Sequence, residues 1–356
     1  MTEKLTLFRT TRRILFGLGA VEKIGTEAQL LKAKKVLIIT DPGVIQAGLL
    51  EGVEKAKKEG INLVIGFGGG SSLDIAKVTS ILITNPGKID SFFGIDLVPN
   101  PGVPVILVPT TAGTGSEVTP IAILSDTKEK LKKGIVSPTL FPEVAIVDPK
   151  LTVGLPPSVT AFTGMDALTH AIEAYYSVNA TDITDLLAYR AMELLSKNLR
   201  MAYAHGENLA ARSSMMEGSL LAGIAFANAG VGAVHAFAYP LGGEFHLAHG
   251  LTNTLMLPYL MRYNILGCPY KFAQMAKAFG EKVEGLSELD GAETAVKFVE
   301  RLSDDIRVPR RLRDVRIPED AIPRLAEAAM KVTRLLANNP RKITLEDAVA
   351  IYKSAY

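Results

Sequence analysis

The chain has 356 residues, of which 48% are apolar and 21% charged, with 39 basic against 37 acidic side chains. That length exceeds the roughly 250 to 300 residues at which a single core stops growing, so two domains are expected. The near-neutral balance supplies no field that would gather nucleic acid or coat a membrane, and no segment reaches the roughly 18 uncharged apolar residues of a membrane span. A lone Cys268 leaves no internal disulfide framework, and the charged opening MTEKLTLFRTTRRILFG has no apolar run of export type. A cytoplasmic protein acting on small ligands is the expectation.

In chain order, residues 35–40 (KVLIIT) read as a buried strand, 43–59 as a helix and 62–67 (NLVIGF) as the next strand, one βαβ unit of roughly 30 residues. Residues 103–108 (VPVILV) predict a third strand. Beyond Val153 the β signal fades, Pro156-Pro157 marks a break, and apolar residues recur at helical spacing to the end. The expected organisation is an α/β dinucleotide-binding domain with a parallel sheet over 1–155 and an all-α domain over 156–356.

Two loops leave the carboxyl ends of the predicted strands. Gly68-Gly69-Gly70-Ser71 follows the second strand and opens a helix with Asp74 in its first turn. Glycines let the backbone approach a ligand, and the helix start offers free N–H groups and a positive dipole end to phosphate oxygens. The loop running from Pro109 through Thr110, Thr111 and Thr114 to Glu117 places four hydroxyls and two glycines beside the same crevice, where open α/β sheets bind their ligands. Asp41, in TDPG, suits either the adenosine ribose hydroxyls, which would favour NAD over NADP, or a plain turn before Pro42.

The helical half carries the metal chemistry. Asp166 and His170 stand four apart, on one helix face, in an apolar small-residue segment where a buried carboxylate is costly unless paired or bound to a cation. Of five histidines in the chain, His235, His246 and His249 fall within 15 residues. A helix-loop-helix turn could bring His235 and His249 to the first pair, and three imidazoles with one carboxylate suit Fe(II), Zn(II), Ni(II) or Co(II). His246 reads either as a support for a ligand or as a pocket wall, His205 as a helix end, and Phe162, Phe237, Tyr239 and Phe245 as pocket or core aromatics.

The motifs GGGSSLDIAK (68–77), PTTAGTGSEVTP (109–120), GMDALTHAIEAY (164–175), GVGAVHAFAYPLGG (230–243) and HGLTN (249–253), with the final LEDAVAIYKSAY, resemble those of the iron-containing, group III alcohol dehydrogenases. The resemblance spans essentially the whole chain. It implies metal ligation by Asp166, His170, His235 and His249, with Fe(II) as the ion. Pyrophosphate contacts would come from Gly69, Gly70 and Ser71, with Thr110, Thr111 and Thr114 near the nicotinamide, Lys132 near a ribose and Asp41 on the adenosine ribose of NAD or NADP. It further implies hydride transfer between that nicotinamide and a small alcohol or aldehyde, in a homodimer or larger oligomer. Two departures stand out. Tyr239 occupies a place where many relatives carry a second histidine thought to assist proton transfer, which leaves Tyr239 and His246 as candidates for that task. Only 27 positions separate Asp41 from Gly68, so the sheet is expected to be shortened by about one βα unit. Two rival readings go with the same motifs: a metal-binding relative that no longer holds the nucleotide, and a dehydroquinate synthase-like lyase, against which the four-ligand set and HGLTN argue.

Overall fold

A computed structural model describes residues 5–40, 55–126 and 131–356. Asp41 and most of the predicted helix 43–59 lie outside the described residues, while 55–59 are helical. Five strands form one parallel sheet: β1 (Arg13–Phe16), β2 (Val36–Thr40), β3 (Leu63–Gly68), β5 (Val105–Pro109) and β8 (Val144–Val147). Their order is β1-β8-β5-β3-β2. β3, β5 and β8 are buried almost throughout, the pattern of parallel strands covered on both faces. Three further strands, β4 (Gly94–Ile95), β6 (Ile121–Asp126) and β7 (Leu131–Val136), make a second sheet in which β6 and β7 pair antiparallel.

The three predicted strands are present, each shifted by one or two residues. β1 and β8 are only four residues long, and β1 follows a charged arm, so neither stands out in the sequence. The β6 and β7 pair departs from the purely parallel expectation, because Asp126, Lys132 and Lys133 interrupt the apolar runs that signal a strand.

After α1 (Ile24–Leu30), helix α2 (Gly70–Thr84) leaves the carboxyl end of β3 and packs against β3 and β5 through Leu73 and Ala76. From Pro157 onward the structure is helical: α3 (Pro157–Tyr176), α4 (Asp182–Ala204), α5 (Leu209–Ala229), α6 (Ala233–Phe245), α7 (His249–Asn264), α8 (Pro269–Ala278), α9 (Glu288–Asp305), α10 (Ile322–Met330), α11 (Thr333–Leu336) and α12 (Leu345–Ala355). Pro at the first helical position starts α3, since its missing N–H would be unpaired there anyway. The largest apolar core runs through this half and takes in Ala112, Val118, Ala145 and Val147 from the sheet half. That shared core fixes the carboxyl ends of β5 and β8 against α3 and α5. Among the described residues no single helix is long and apolar enough to cross a membrane.

Candidate metal centre and cofactor cleft

Asp166 and His170 project from one face of α3, as their spacing requires. His235 lies in the first turn of α6, and His249 is the first residue of α7. A short turn reverses the chain between those helices, with His246 in the left-handed region at φ 53°. It sets the His235 and His249 rings 5.2 Å apart, while the His170 ring stacks on His235 at 4.8 Å and on Phe226 at 4.4 Å. One donor atom from each of Asp166, His170, His235 and His249 lies within 4.8 Å of all the others. Gly250 makes that closure possible: a Cβ there would stand 2.0 Å from the Phe162 carbonyl oxygen, so only glycine lets α7 start this close to α3.

The electrostatics suit a divalent cation. Burial pushes His170 down to about 4 and His249 down to about 3, so both imidazoles are neutral and keep a lone pair to donate. Burial works to raise the Asp166 carboxyl, but the neighbouring imidazoles and a hydrogen bond from Asn253 outweigh it and hold it below the usual carboxylate range. His170 Nδ1 faces the Gly113 carbonyl at 3.3 Å, and His235 Nδ1 makes a very short contact with Glu173 Oε2. Each ring thereby presents Nε2, with its lone pair, to the centre of the cluster. Three imidazoles and one carboxylate are a donor set for Fe(II), Zn(II), Ni(II) or Co(II).

Two supporting residues escaped the sequence reading. Glu173 is fully buried, accepts from the Val234 amide at 2.7 Å and from the Tyr176 hydroxyl at 3.2 Å, and holds His235. Its signal was present, since a glutamate one turn past His170 in an apolar helix poses the same problem as Asp166. Asn253, four residues after His249, donates from Nδ2 to Asp166 Oδ1 at 2.7 Å and faces Nε2 of His235 and His249 at 3.1 and 3.2 Å. Its Oδ1 is buried without a partner.

A cavity of about 220 Å³ joins this cluster to the sheet half. The four donor side chains, Tyr239, Phe226 and Arg334 line it from the helical side, and Gly70, Ser71, Asp74, Thr114 and Lys132 from the other. Gly70 and Ser71 open α2, so the dipole end and unpaired amides of that helix face the cavity. The two loops adjoin, with the Thr110 amide donating to the Gly68 carbonyl at 2.9 Å and the Thr111 side chain beside Gly69. Asp74 lines the cavity but spends its oxygens on the Ser116 hydroxyl at 2.6 Å and the Ile123 amide at 2.9 Å, and burial raises its carboxyl against the pull of Lys77. Burial lowers the Lys132 ammonium, while the charges of Asp166 and Asp74 draw it upward.

Tyr239 reaches the cavity with its ring 6.1 Å from that of His249. Burial pushes its hydroxyl up to about 12. His246 is exposed at the end of α6 and does not line the cavity. Phe237 belongs to the core against Tyr352, and Phe162 and Phe245 are not on the cavity wall.

Residues 160–356 match the model of the Fe-containing alcohol dehydrogenase family, C-terminal, and residues 49–149 that of iron-containing alcohol dehydrogenase. The chain is 42% identical to long-chain-alcohol dehydrogenase 1 of Geobacillus thermodenitrificans (strain NG80-2) over 96% of its own length and 94% of that protein's. The alignment runs over 373 positions, more than the 356 residues available, so that relative carries positions this chain lacks. Identity to sulfoacetaldehyde reductase of Bilophila wadsworthia (strain 3_1_6) is 38%, with 98% of each chain covered. The crystal structure of a 1,3-propanediol oxidoreductase superposes with a TM-score of 0.95 at 39% identity, covering 99% of this chain and 100% of that one. With family models on both halves and relatives matched nearly end to end, the chain belongs to the iron-containing alcohol dehydrogenase family.

Proposed function

We propose that the protein interconverts small alcohols and aldehydes by direct hydride transfer with NAD, NADP being the second choice, in a reaction that depends on a divalent metal, Fe(II) first. The observation that carries this reading is one cavity walled on one side by the Asp166, His170, His235 and His249 donors and on the other by the start of α2. A cation held by those four side chains would supply Lewis-acid polarisation of the substrate oxygen. The amides of Gly70 and Ser71 bind pyrophosphate oxygens at the positive end of α2, with Gly69 giving close backbone approach. Thr110, Thr111 and Thr114 orient the nicotinamide half, and Lys132 holds a ribose hydroxyl.

Tyr239 donates the proton that the alkoxide needs in the reducing direction. Burial holds its hydroxyl near 12, so it stays protonated through the neutral range and is available to donate in the reducing direction. The relatives' named substrates span a long-chain alcohol, a diol and a sulfonated aldehyde, so substrate choice rests on the cavity wall and not on the four ligands.

The test is NADH and NADPH oxidation by the chelated protein after adding back Fe(II), Zn(II), Ni(II) or Co(II), against C2 to C6 aldehydes. Turnover restored by a metal and abolished in His249→Ala is the expected result. Nucleotide binding without turnover under any metal would overturn the dehydrogenase reading. Absence of nucleotide binding would favour a metal-holding relative that has lost its cofactor.

A further inference from the structure

Arg334, an exposed residue, is the one charged cavity-lining group on the helical side that neither metal ligation nor hydride transfer uses. Among the described residues its guanidinium has no ion pair and no hydrogen bond, although most arginines of the helical half, such as Arg262 with Glu293 and Glu300, are paired. Its backbone is held firmly. Leu335 beside it is fully buried, and four residues later Asn338 donates to the Val231 carbonyl at 2.8 Å, tying the α11 region to the loop that opens α6. Gly230 and Val231 of that loop line the same cavity. Tyr239 and Arg334 both line this cavity.

The other charged groups of the cavity are accounted for. Asp74 is tied to Ser116 and Ile123, Asp166 belongs to the candidate cation site, and Lys132 is drawn on by both of those acids. No described carboxylate is left to neutralise Arg334, and a planar cation with five donors is the side chain best matched to a carboxylate or sulfonate. The helical side of the same cavity also carries Phe226, Val231 and Tyr239, apolar apart from one hydroxyl, which suits a short carbon chain.

We propose that Arg334 is a specificity residue that receives an anionic group at the end of the substrate remote from the carbonyl, so that the preferred substrates are short aldehydes bearing a carboxylate or sulfonate. This rests on the dehydrogenase reading for the position of the reacting carbon, and the experiment separates the two. With the metal-loaded full chain, kcat/KM is measured for 4-oxobutanoate, for 2-oxoethanesulfonate and for uncharged butanal, in the wild type, Arg334→Gln and Arg334→Lys. In parallel, calorimetry follows succinate, an unreactive dianion, binding to the same three proteins.

The expected result is a wild-type preference for an anionic aldehyde over butanal, lost by about tenfold in Arg334→Gln through KM, the low end for a charge-assisted hydrogen bond at a solvent-reachable site. Butanal should change by less than about twofold, Arg334→Lys should recover part of the loss, and succinate binding should weaken about tenfold in parallel. Whichever anionic aldehyde shows the larger Arg334 dependence names the group. An anionic-to-butanal ratio unmoved by Arg334→Gln, or an equal fall for all three aldehydes, overturns the proposal while leaving the dehydrogenase intact. If no aldehyde is reduced by the wild type, the dehydrogenase reading has failed, and succinate binding alone decides for or against Arg334.

Discussion

Glu173→Gln tests whether the cation site is set by its ligands alone or by what holds them. In the wild type the Glu173 carboxylate accepts from the Val234 amide at 2.7 Å and the Tyr176 hydroxyl at 3.2 Å on Oε1, and holds His235 Nδ1 with Oε2. That arrangement obliges His235 to carry its proton on Nδ1 and to leave Nε2 free for the ion. Glutamine keeps the shape and can keep an acceptor toward Val234 and Tyr176. Its NH2 then meets His235 Nδ1 donor to donor, a clash relieved only if the ring moves its proton to Nε2, the atom that should bind metal. Loss of such a supporting contact typically costs about 10- to 100-fold in metal affinity, or roughly 1.4 to 2.8 kcal/mol. The assay is competition for Zn(II) or Co(II) against a chelator of known affinity at fixed pH. Thermal unfolding in excess chelator runs beside it to show that the apo fold is intact. A metal affinity within about twofold of wild type, with the apo fold unchanged, would refute the argument. Glu173→Ala should do worse in both assays, because it also leaves the buried Val234 amide without a partner at a cost of about 1 to 3 kcal/mol.

Tyr239→Phe should lower kcat for aldehyde reduction by about 100-fold with little change in KM, the loss expected of a positioned proton donor; kcat kept within about twofold would assign the proton to water or to a ribose hydroxyl. Two other buried groups predict opposite pH trends in stability. Burial raises Glu117 to about 7 from 4.5, so between those values the folded chain holds a proton that the unfolded chain has released, and stability falls as pH climbs through that window. Burial lowers Lys77 to about 8 from 10.5, so from about pH 8 upward the unfolded chain holds the extra proton and stability rises. Urea unfolding of apo Glu117→Gln against wild type at pH 5 and pH 7.5 should show the difference moving toward the variant by up to about 3 kcal/mol; a difference that does not change with pH would show that Glu117 does not titrate there.

What the sequence revealed and hid follows from how local each signal was. Asp166 and His170 could be read because one helix turn relates them and because an unpaired carboxylate among alanines and glycines demands a reason. His235 and His249 could be read because imidazoles are scarce and clustered, with five in the chain. The start of α2 could be read because a glycine run after an apolar strand has few other uses. Glu173 offered the same kind of signal as Asp166, but its partner is 62 residues away, and nothing local says that the carboxylate turns toward His235. Arg334 had no signal at all: α11 is four residues long, and it is brought beside the cavity by long-range contacts such as that of Asn338 with Val231. His246 shows the converse error, since proximity in sequence to two ligands does not bring it in; the turn that places His249 leaves it exposed at the end of α6.

The two halves of the site come from different architectures, and hydride transfer requires them to be held to a fraction of an ångström. The carboxyl end of β5 supplies the hydroxyl loop, and α3 and α5 press against that loop directly. Gly115 sits at φ +60°, and a Cβ there would stand 2.6 Å from Gly223 Cα in α5. A Cβ at Gly113 would stand 2.8 Å from Thr163 Cβ in α3, three residues before Asp166. These backbone contacts, and not any ligand, set how far Thr114 and the start of α2 lie from His170 and His235. The same Gly113 carbonyl that receives the His170 ring belongs to this loop, so the hydroxyl loop and the candidate cation site share a residue. Small residues here are therefore a requirement of the reaction geometry as much as of packing. Sequence drift that preserves all four ligands but enlarges position 113, 115 or 223 should leave a protein that still holds its metal and turns over slowly.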